Sequence, residues 1–272
     1  MNEKPSINHS SSPKKWVLIT GGAQRLGRIL CLAFARDGWG VVCHYRHSDA
    51  PARALQVEIE SLGGTCRTVQ ADLADTEDAT NLVDRATGLA QAGLECIINN
   101  ASEFEADSAA DFTPEQLLRA FTVNTMAPLL LTQGFFRQVR QRTATPGCVI
   151  HVLDQKVHNL NPDYFSYTLS KLALERAVAL QAQAYAPHLR VCGISPGLSF
   201  VSGPQTEDNF ERARRVNLLR QPLNPEHVAQ AALHLAQNLA LNGCVLPVDN
   251  GQHQLPLARD VMYAIDLGLT PR

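Results

Sequence analysis

No stretch of this sequence is apolar for longer than a strand, whereas a membrane-spanning helix needs about 20 apolar residues. The formal net charge is only −2, which gives no broad basic surface for nucleic acid or an anionic membrane. Residues 1–15 are polar and serine-rich and lack the apolar segment of a secretory signal. We therefore expect a cytoplasmic protein with a disordered lead-in over residues 1–15, and no nucleic-acid or membrane partner.

Patterns typical of metal sites are missing as well. The seven cysteines stand singly, with no Cys-x-x-Cys pair, and the nine histidines show no spacing typical of metal ligands. Dispersed cysteines within apolar segments are typical of small buried side chains in a reducing compartment. We predict reduced cysteines and no metal site.

Short apolar runs alternate with segments of helical periodicity. Strands are predicted at 16–20, 40–45, 66–70, 95–99, 148–153, 190–194 and 244–248. Helices are predicted at 25–37, 52–62, 76–92, 113–142 (broken or bent near Pro128), 164–185 and 225–241. Strands that are apolar on both faces and separated by helices indicate a parallel sheet covered on both sides. We predict one Rossmann-like, doubly wound α/β domain over residues 16–272, with segment 197–223 as a functional lid.

A glycine-rich turn, Thr-Gly-Gly-Ala-Gln-Arg-Leu-Gly at 20–27, follows the first strand and opens the first helix. Gly21 and Gly27 permit a tight turn and close packing of the helix, whose N-terminus offers free N–H groups to a pyrophosphate. Glycines also mark ordinary turns, but the strand-turn-helix context favours a dinucleotide site. Leu26 belongs to the same turn.

The end of the second strand favours NADPH over NADH. No acidic residue occurs there before Asp49, whereas an NAD site needs a carboxylate for the ribose hydroxyls. Arg25, Arg46 and Ser48 can hold a 2′-phosphate by charge-assisted hydrogen bonds. The alternative is that Arg46 is a solvated surface charge. Further residues assigned to the cofactor from strand ends are His44, Tyr45, Asp72, Leu73, Asn100, Ala101 and Ser102.

Tyr167 and Lys171 lie one helical turn apart, on one face of the predicted helix 164–185. An ammonium beside a phenol favours the phenolate and lowers the phenol pKa. This would make Tyr167 an acid or base near neutral pH. The alternative is an exposed pair on a helix surface.

Together these motifs resemble the short-chain dehydrogenase/reductase family over residues 16–251. The resemblance rests on the turn at 20–27, on Asn99-Asn100-Ala101, on Asn124, Tyr167 and Lys171, and on Pro196-Gly197. It implies that Tyr167 is the acid/base, that Lys171 binds the nicotinamide ribose, and that Asn124 holds a water linking Lys171 to solvent. It also implies that Pro196 and Gly197 lie beside the nicotinamide, and that the protein is a homotetramer packed through helices 113–142 and 164–185.

Asp154 departs from the pattern of most family members, which have serine thirteen residues before the tyrosine. A carboxylate is a poor partner for a neutral carbonyl oxygen, but it suits a substrate with amide or amino donors. The alternative is an aspartate that only caps a loop or helix.

The pteridine and dihydromonapterin reductases of this family share that aspartate. The chain also resembles them at Arg25, at His44 to Arg46, at Ser102 followed by Phe104, and at Pro196 to Ser199. In that subgroup a phenylalanine covers the pterin ring. The substrate residues implied are Phe104, Asp154, Tyr167 and Leu198, with Ser199 assigned to the cofactor. The acids Glu103, Glu105 and Asp107 set this chain apart.

We therefore expect an NADPH-dependent reductase of a pterin or a similar flat nitrogen heterocycle. One alternative is a reductase of ketones, sugars or acyl groups, against which Asp154 and Phe104 argue. Another is a non-catalytic protein that senses NADP, which the presence of Tyr167, Lys171 and Asn124 makes less attractive.

Overall fold

The computed structural model describes residues 15–91, 93–142 and 145–269. The predicted disordered lead-in therefore lies outside the described residues, apart from Lys15. Seven parallel strands form one sheet in the order β3-β2-β1-β4-β5-β6-β7, which confirms the doubly wound α/β fold. The strands are β1 Trp16–Ile19, β2 Gly40–Tyr45, β3 Thr65–Gln70, β4 Leu94–Asn99, β5 Gly147–Val152, β6 Leu189–Pro196 and β7 Val245–Val248.

Helices cover both faces of the sheet. They are α1 Arg25–Arg36, α2 Asp49–Ser61, α3 Thr76–Leu89, α4 Pro114–Phe121, α5 Ala127–Val139, α6 Phe165–Tyr185, α7 Glu207–Ala213, α8 Pro225–Gln237 and α9 Val261–Asp266. α2 begins earlier than predicted because the first turn of a helix tolerates Pro51. α3 and α8 end earlier than predicted because Ala90 and Asn238 adopt extended conformations.

The core lies in two layers, one on each side of the sheet. Successive side chains of a strand point to opposite faces, so β1 serves both layers. Val17 and Ile19 pack with α1 and α8, whereas Trp16 and Leu18 pack with α3 and α5. The strand order reverses between β1 and β4, and ligands of such sheets bind outside the carboxyl ends of the strands at this point.

The predicted helix 113–142 is interrupted by a π-helical turn at Thr122–Met126, between α4 and α5. Pro128 has no N–H to return to the carbonyl of Asn124, four residues earlier, so a regular α-helix cannot continue through this point. The bend thus falls just before the predicted proline. It leaves the Asn124 side chain fully buried.

Two helices near the C-terminus were not predicted. Segment 197–223, predicted as a functional lid with no helix assigned to it, contains α7, whose N-cap is Thr206. α9 begins after Asp260, whose carboxylate accepts a hydrogen bond from the backbone N–H of Met262 at 3.0 Å. The two helices are joined by Asn209, which donates to the carbonyl of Met262 at 2.8 Å.

Two further findings concern membrane-spanning helices and the cysteines. Over residues 15–91, 93–142 and 145–269, no helix is long and apolar enough to cross a membrane. All seven cysteines are free, and all but Cys244 are buried.

Candidate active site

The glycine-rich turn is held against the ends of β2 and β4. The backbone N–H of Gly21 donates to His44 Nδ1 at 3.1 Å, and Asn100 Nδ2 donates to the carbonyl of Gly21 at 3.2 Å. Gly27 has no room for a side chain, because a Cβ there would lie 2.0 Å from the Gly21 oxygen. We call Gly21, Gly27, His44 and Asn100 the turn cluster.

His44 is a support for this turn. Burial lowers the pKa of His44 to about 4, so the ring is neutral. Nδ1 accepts from Gly21, which places the ring proton on Nε2, 3.1 Å from the carbonyl oxygen of Ala71. Both ring nitrogens are thus committed to the backbone, although the residue lines the cavity described next.

A cavity of about 580 Å³ opens at the carboxyl ends of the strands. It brings together the residues assigned from sequence to cofactor and substrate. Its lining includes Gly21, Arg25, Leu26, Gly27, His44, Tyr45, Arg46, Ser48, Asp72, Leu73, Asn100, Ala101, Ser102, Phe104, Asp154, Tyr167, Lys171, Pro196, Gly197, Leu198 and Ser199. Asn124, the remaining assigned residue, lies behind the cavity wall.

The two arginines expected at a 2′-phosphate have protein partners. Arg46 Nη1 lies 2.7 Å from Glu103 Oε1, which also accepts from Arg119 at 2.5 Å. Glu103 is therefore neutralised by two cations. Arg25 has the positive φ of 50° and donates to the carbonyl of Val201 at 2.5 Å, which ties the turn to the predicted lid segment.

A second group of residues surrounds Tyr167. Its hydroxyl donates to Asp154 Oδ2 at 2.8 Å, and its ring meets Phe104 edge-on with centroids 4.7 Å apart. Phe104 also stacks on Tyr164, with centroids 4.1 Å apart, and Tyr164 has a left-handed backbone conformation with φ of 57°. We call Phe104, Asp154, Tyr164 and Tyr167 the tyrosine cluster.

The electrostatics of Tyr167 differ from the sequence-based expectation. Burial, and then the Asp154 carboxylate, raise the pKa of Tyr167 well above its ordinary value. Lys171 does not lower it, because its Nζ donates to the carbonyl of Val152 at 2.8 Å and lies 5.8 Å from the tyrosine ring centroid. Burial lowers the pKa of Lys171 itself to about 8. The prediction of a lowered phenol pKa was wrong for the protein alone.

Every hydrogen-bonding position of the Asn124 side chain is occupied by protein groups. Oδ1 accepts from Ser102 Oγ at 3.0 Å and from Glu103 N at 2.8 Å. Nδ2 donates to the carbonyl of Glu103 at 2.9 Å and to Ser170 Oγ at 3.0 Å. The side chain therefore fixes the segment that carries Phe104. A water at Asn124 would have to bind the backbone carbonyl, which Pro128 leaves without its α-helical partner.

Sequence reasoning missed an ion pair in the same cavity. Lys156 Nζ and Asp260 Oδ2 lie 2.8 Å apart, and both residues line the cavity. Lys156 lies two residues after Asp154 and was within reach of sequence analysis. Asp260 was not, because it belongs to a C-terminal segment with no motif.

Comparison with known proteins places the chain in a family. The family described as short chain dehydrogenase matches residues 15–210, which is most of the chain. The protein therefore belongs to the short-chain dehydrogenase family and is an oxidoreductase.

Within that family the chain is similar to proteins named for pterin and folate reduction. The dihydromonapterin reductase of an Enterobacter species is 25% identical over 242 residues, covering 89% of this chain and 98% of the relative. An uncharacterized oxidoreductase of Methylorubrum extorquens is 29% identical over 82% of this chain and 91% of the relative. Among solved structures, FolM alternative dihydrofolate reductase 1 of Brucella canis, complexed with NADP, has a TM-score of 0.84 and 32% identity. The match covers 89% of this chain and 95% of the Brucella chain.

Proposed function

We propose that the protein is an NADPH-dependent reductase of a pterin similar to a dihydropterin, or of another flat nitrogen heterocycle. The observation that carries this proposal is the partly buried Asp154 carboxylate in the cavity wall, hydrogen-bonded to Tyr167 at 2.8 Å beside the Phe104 ring. The relatives named dihydromonapterin reductase and dihydrofolate reductase support the same substrate class.

The turn cluster fits a dinucleotide. The N-terminus of α1 has no side-chain cap, so its first N–H groups are available to a pyrophosphate. The close approach of Gly27 to Gly21 removes side chains from the point where the phosphates would lie. Solved relatives contain NADP, and NADPH is the cofactor of this protein.

The selection of the phosphorylated cofactor falls to residues at the end of β2. Arg46 lines the cavity, is half-buried, and is already paired with one acidic residue, Glu103. The negative charge of a 2′-phosphate would let it bind Arg46 together with Glu103. Glu103 would keep a second cation as its partner, because it also pairs with Arg119. Ser48 and the backbone amides that begin α2 lie beside this position.

Asp154 selects the substrate by its charge. A pterin carries an amino group and ring N–H groups, which donate to a carboxylate more strongly than to a neutral acceptor. A ketone has no such donor, and developing negative charge on its oxygen would be repelled by Asp154. The phenyl ring of Phe104 offers a flat apolar surface to the heterocycle beside the same carboxylate.

Tyr167 supplies the proton. Its raised pKa keeps the hydroxyl protonated at neutral pH, so the phenol is present in the form that a reduction needs as proton donor. NADPH, when bound, supplies a hydride to the carbon of the C=N bond. Tyr167, or a water held by Asp154, delivers the proton to the nitrogen, so the bond gains two electrons and two hydrogens.

Lys171 and Asn124 support that proton transfer. Burial lowers the pKa of Lys171 to about 8, so the lysine is mostly protonated at neutral pH, and in the protein alone its ammonium donates to the Val152 carbonyl. With the cofactor bound, this positive charge would stabilise the phenolate that remains at Tyr167 after the proton has left. Lys171 also binds the nicotinamide ribose. Asn124 positions the Ser102–Phe104 segment through its side chain, and its backbone carbonyl is the place for a water that returns a proton to Lys171.

We further propose a homotetramer packed through α4, α5 and α6. Large apolar side chains are exposed in these elements: Leu118 in α4, Met126 in the π-helical turn between α4 and α5, and Leu180 in α6. Such side chains in contiguous patches mark contacts between proteins. Light scattering coupled to size-exclusion chromatography tests the oligomeric state, and the expected mass is about that of four chains.

The substrate proposal is tested by one panel. NADPH oxidation is measured with dihydropterins, quinonoid dihydropterins, folates and simple carbonyl compounds, under the same conditions. We expect turnover with a dihydropterin and little with the ketones. A protein that reduces the ketones well and ignores every pterin would be a carbonyl reductase, and one that binds NADPH tightly but turns over nothing would be a cofactor sensor.

A further inference from the structure

The substrate side of the cavity holds a buried ion pair that the proposed mechanism does not use. Lys156 follows the strand β5 in the same short turn as Asp154, and Asp260 caps the C-terminal helix α9. The two side chains are 3% and 14% exposed, and Nζ lies 2.8 Å from Oδ2. Burial of an ion pair costs desolvation, so this pair is weak evidence for stability, and its position beside Asp154 suggests a role in the site.

We propose that Lys156 and Asp260 are positioning residues with separate tasks: Lys156 keeps the Asp154 carboxylate charged, and Asp260 holds the Lys156 ammonium so that Asp154 stays free to accept hydrogen bonds from the substrate. The proposal rests on the proposed function in one respect only, that Asp154 is the group that receives the substrate donors.

Lys156 acts on Asp154 from two directions. Its backbone N–H donates to Asp154 Oδ1 at 2.8 Å, which holds the carboxylate in one orientation and leaves Oδ2 for Tyr167. Its ammonium supplies a positive charge on the same side of the cavity, and this charge favours the ionised form of Asp154.

Asp260 keeps that ammonium from pairing directly with Asp154. The three N–H donors of Lys156 point to Asp260 Oδ2, to Asn161 Oδ1 at 2.8 Å and to the carbonyl of Asp163 at 3.5 Å. The ammonium is therefore fully occupied. A direct ion pair with Asp154 would block the oxygens that the substrate needs.

The C-terminal segment that carries Asp260 is itself anchored. The single N–H of Arg259 Nε is shared between the two Asp163 carboxylate oxygens at 2.9–3.0 Å, and Nη2 donates to Oδ1 at 2.7 Å. The backbone N–H of Asp260 donates to Asp163 Oδ2 at 2.7 Å. Met262, the second residue of α9, packs in the same cluster as Tyr167 and Phe104. Asp260 thus holds a defined place at the wall of the cavity.

Charged and titratable groups from three elements act on Asp154. Tyr167 and Lys171 come from α6, Lys156 from the turn after β5, and Asp260 from the C-terminal segment. Burial raises the pKa of Asp154, and Asp260 raises it further, whereas Lys156 and the Tyr167 hydrogen bond lower it. Lys156 is thus the main cation that opposes burial on the substrate side.

The sign of the pH dependence follows from these groups. Asp154 must be ionised to accept from the substrate, so kcat/KM falls as the pH drops through its pKa. Lys156→Met removes the positive charge and should move this acid limb, and the Asp154 titration midpoint, upward by about 1 pH unit. Asp260→Asn removes a negative charge and should move both downward, and Lys156→Met/Asp260→Asn should bring both back towards the parent value.

The test records two quantities for the parent and each variant. One is the pH profile of kcat/KM with a dihydropterin, and the other is the titration of the Asp154 carboxyl carbon by ¹³C NMR, assigned by its loss in Asp154→Asn. The double variant replaces the pair with neutral side chains of similar size and guards against failure of a single variant to fold. Arg212→Gln is the matched control, since it removes a cation that pairs with Asp208 and with Asp266 at the end of α9, and not with the Lys156–Asp260 pair. It should leave the midpoint unchanged.

The outcomes separate the two proposals. Opposite shifts of the Asp154 midpoint in Lys156→Met and Asp260→Asn support the proposed role of the ion pair, even if the parent reduces no pterin and the proposed substrate is wrong. Midpoints that stay at the parent value, or that move in the same direction in both variants, overturn this role even if pterin turnover is high. A shift in Arg212→Gln as large as that in Lys156→Met would also overturn the proposal, because the effect would then not be specific to the ion pair.

Discussion

In the turn cluster, the side chains form hydrogen bonds to backbone peptide groups, whereas in the tyrosine cluster the side chains contact one another. His44 and Asn100 each bond to the peptide groups of the glycine-rich turn. Asp154, by contrast, bonds to the Tyr167 hydroxyl, and Phe104 packs on aromatic rings. The first arrangement presents a surface of peptide groups, which suits the pyrophosphate of a cofactor that many enzymes share. The second presents specific side chains, which suits one class of substrate.

The difference has a consequence for mutation. A change in the turn cluster displaces peptide groups and should affect binding of the cofactor first. A change in the tyrosine cluster alters one chemical group in an intact frame, so it should affect catalysis or substrate choice while the cofactor still binds. The predictions below follow this division, from the largest expected effect to the smallest.

Gly27→Ala should abolish the turn. The new Cβ would lie 2.0 Å from the Gly21 oxygen, and the backbone would have to move at a cost of about 3 kcal/mol or more. We expect NADPH affinity to fall by at least about a hundredfold, with a lower Tm. Gly88→Ala is the control, because a Cβ at this exposed helical glycine meets nothing within 4 Å. Normal affinity in Gly27→Ala would mean that the turn does not bind the cofactor.

Tyr167→Phe should break catalysis and spare the cofactor. The variant keeps the ring and loses the transferable proton, so kcat should fall by about a hundredfold or more. The dissociation constant of NADPH, measured by fluorescence, should stay near that of the parent. Rates close to the parent value would assign the proton to Asp154 or to its water.

Arg46→Ala should reduce the preference for NADPH. Loss of a charged hydrogen bond to the 2′-phosphate costs about 1.5–3 kcal/mol, or roughly ten- to hundredfold in kcat/KM, and NADH should be little affected. Arg119→Ala gives a matched control, since Arg119 also pairs with Glu103 but does not line the cavity. Equal use of the two cofactors by the parent, or equal effects of the two variants, would contradict the assignment.

Phe104→Ala should have the smallest effect. Stacking of this kind contributes about 0.5–1.5 kcal/mol beyond burial, so KM for a dihydropterin should rise by roughly two- to tenfold, with a smaller change in kcat. Phe112→Ala removes an aromatic ring that packs on Phe165 and does not line the cavity. An unchanged KM in Phe104→Ala would remove the phenyl ring from the substrate site.

The turn cluster was largely predictable because its residues form local motifs. Gly21 and Gly27 belong to one turn, and Asn100 follows a buried strand, so the chain itself brings them to one edge of the sheet. What the motif did not reveal is that His44 supports the turn with both ring nitrogens. That role depends on the distance between β2 and the turn, which no local pattern encodes.

The tyrosine cluster was predictable only in part. Tyr167 and Lys171 follow from helical spacing and Asp154 from its position before the tyrosine. The raised pKa of Tyr167 did not, because it depends on burial and on a neighbour thirteen residues away. Tyr164 and Asp260 were missed, since an aromatic stack and a C-terminal ion pair are products of tertiary packing.

The central claim is that Asp154 selects a nitrogen heterocycle, and Asp154→Ser tests it most directly. Serine restores the residue that most of the family has at this position. The measurement is kcat/KM of the parent and of Asp154→Ser with a dihydropterin and with a simple ketone, all with NADPH. The account predicts that the variant loses pterin reduction and keeps or gains ketone reduction, because the charged acceptor is gone and the oxygen is no longer repelled. Undiminished pterin reduction in Asp154→Ser, or equal losses on both substrates, would contradict it.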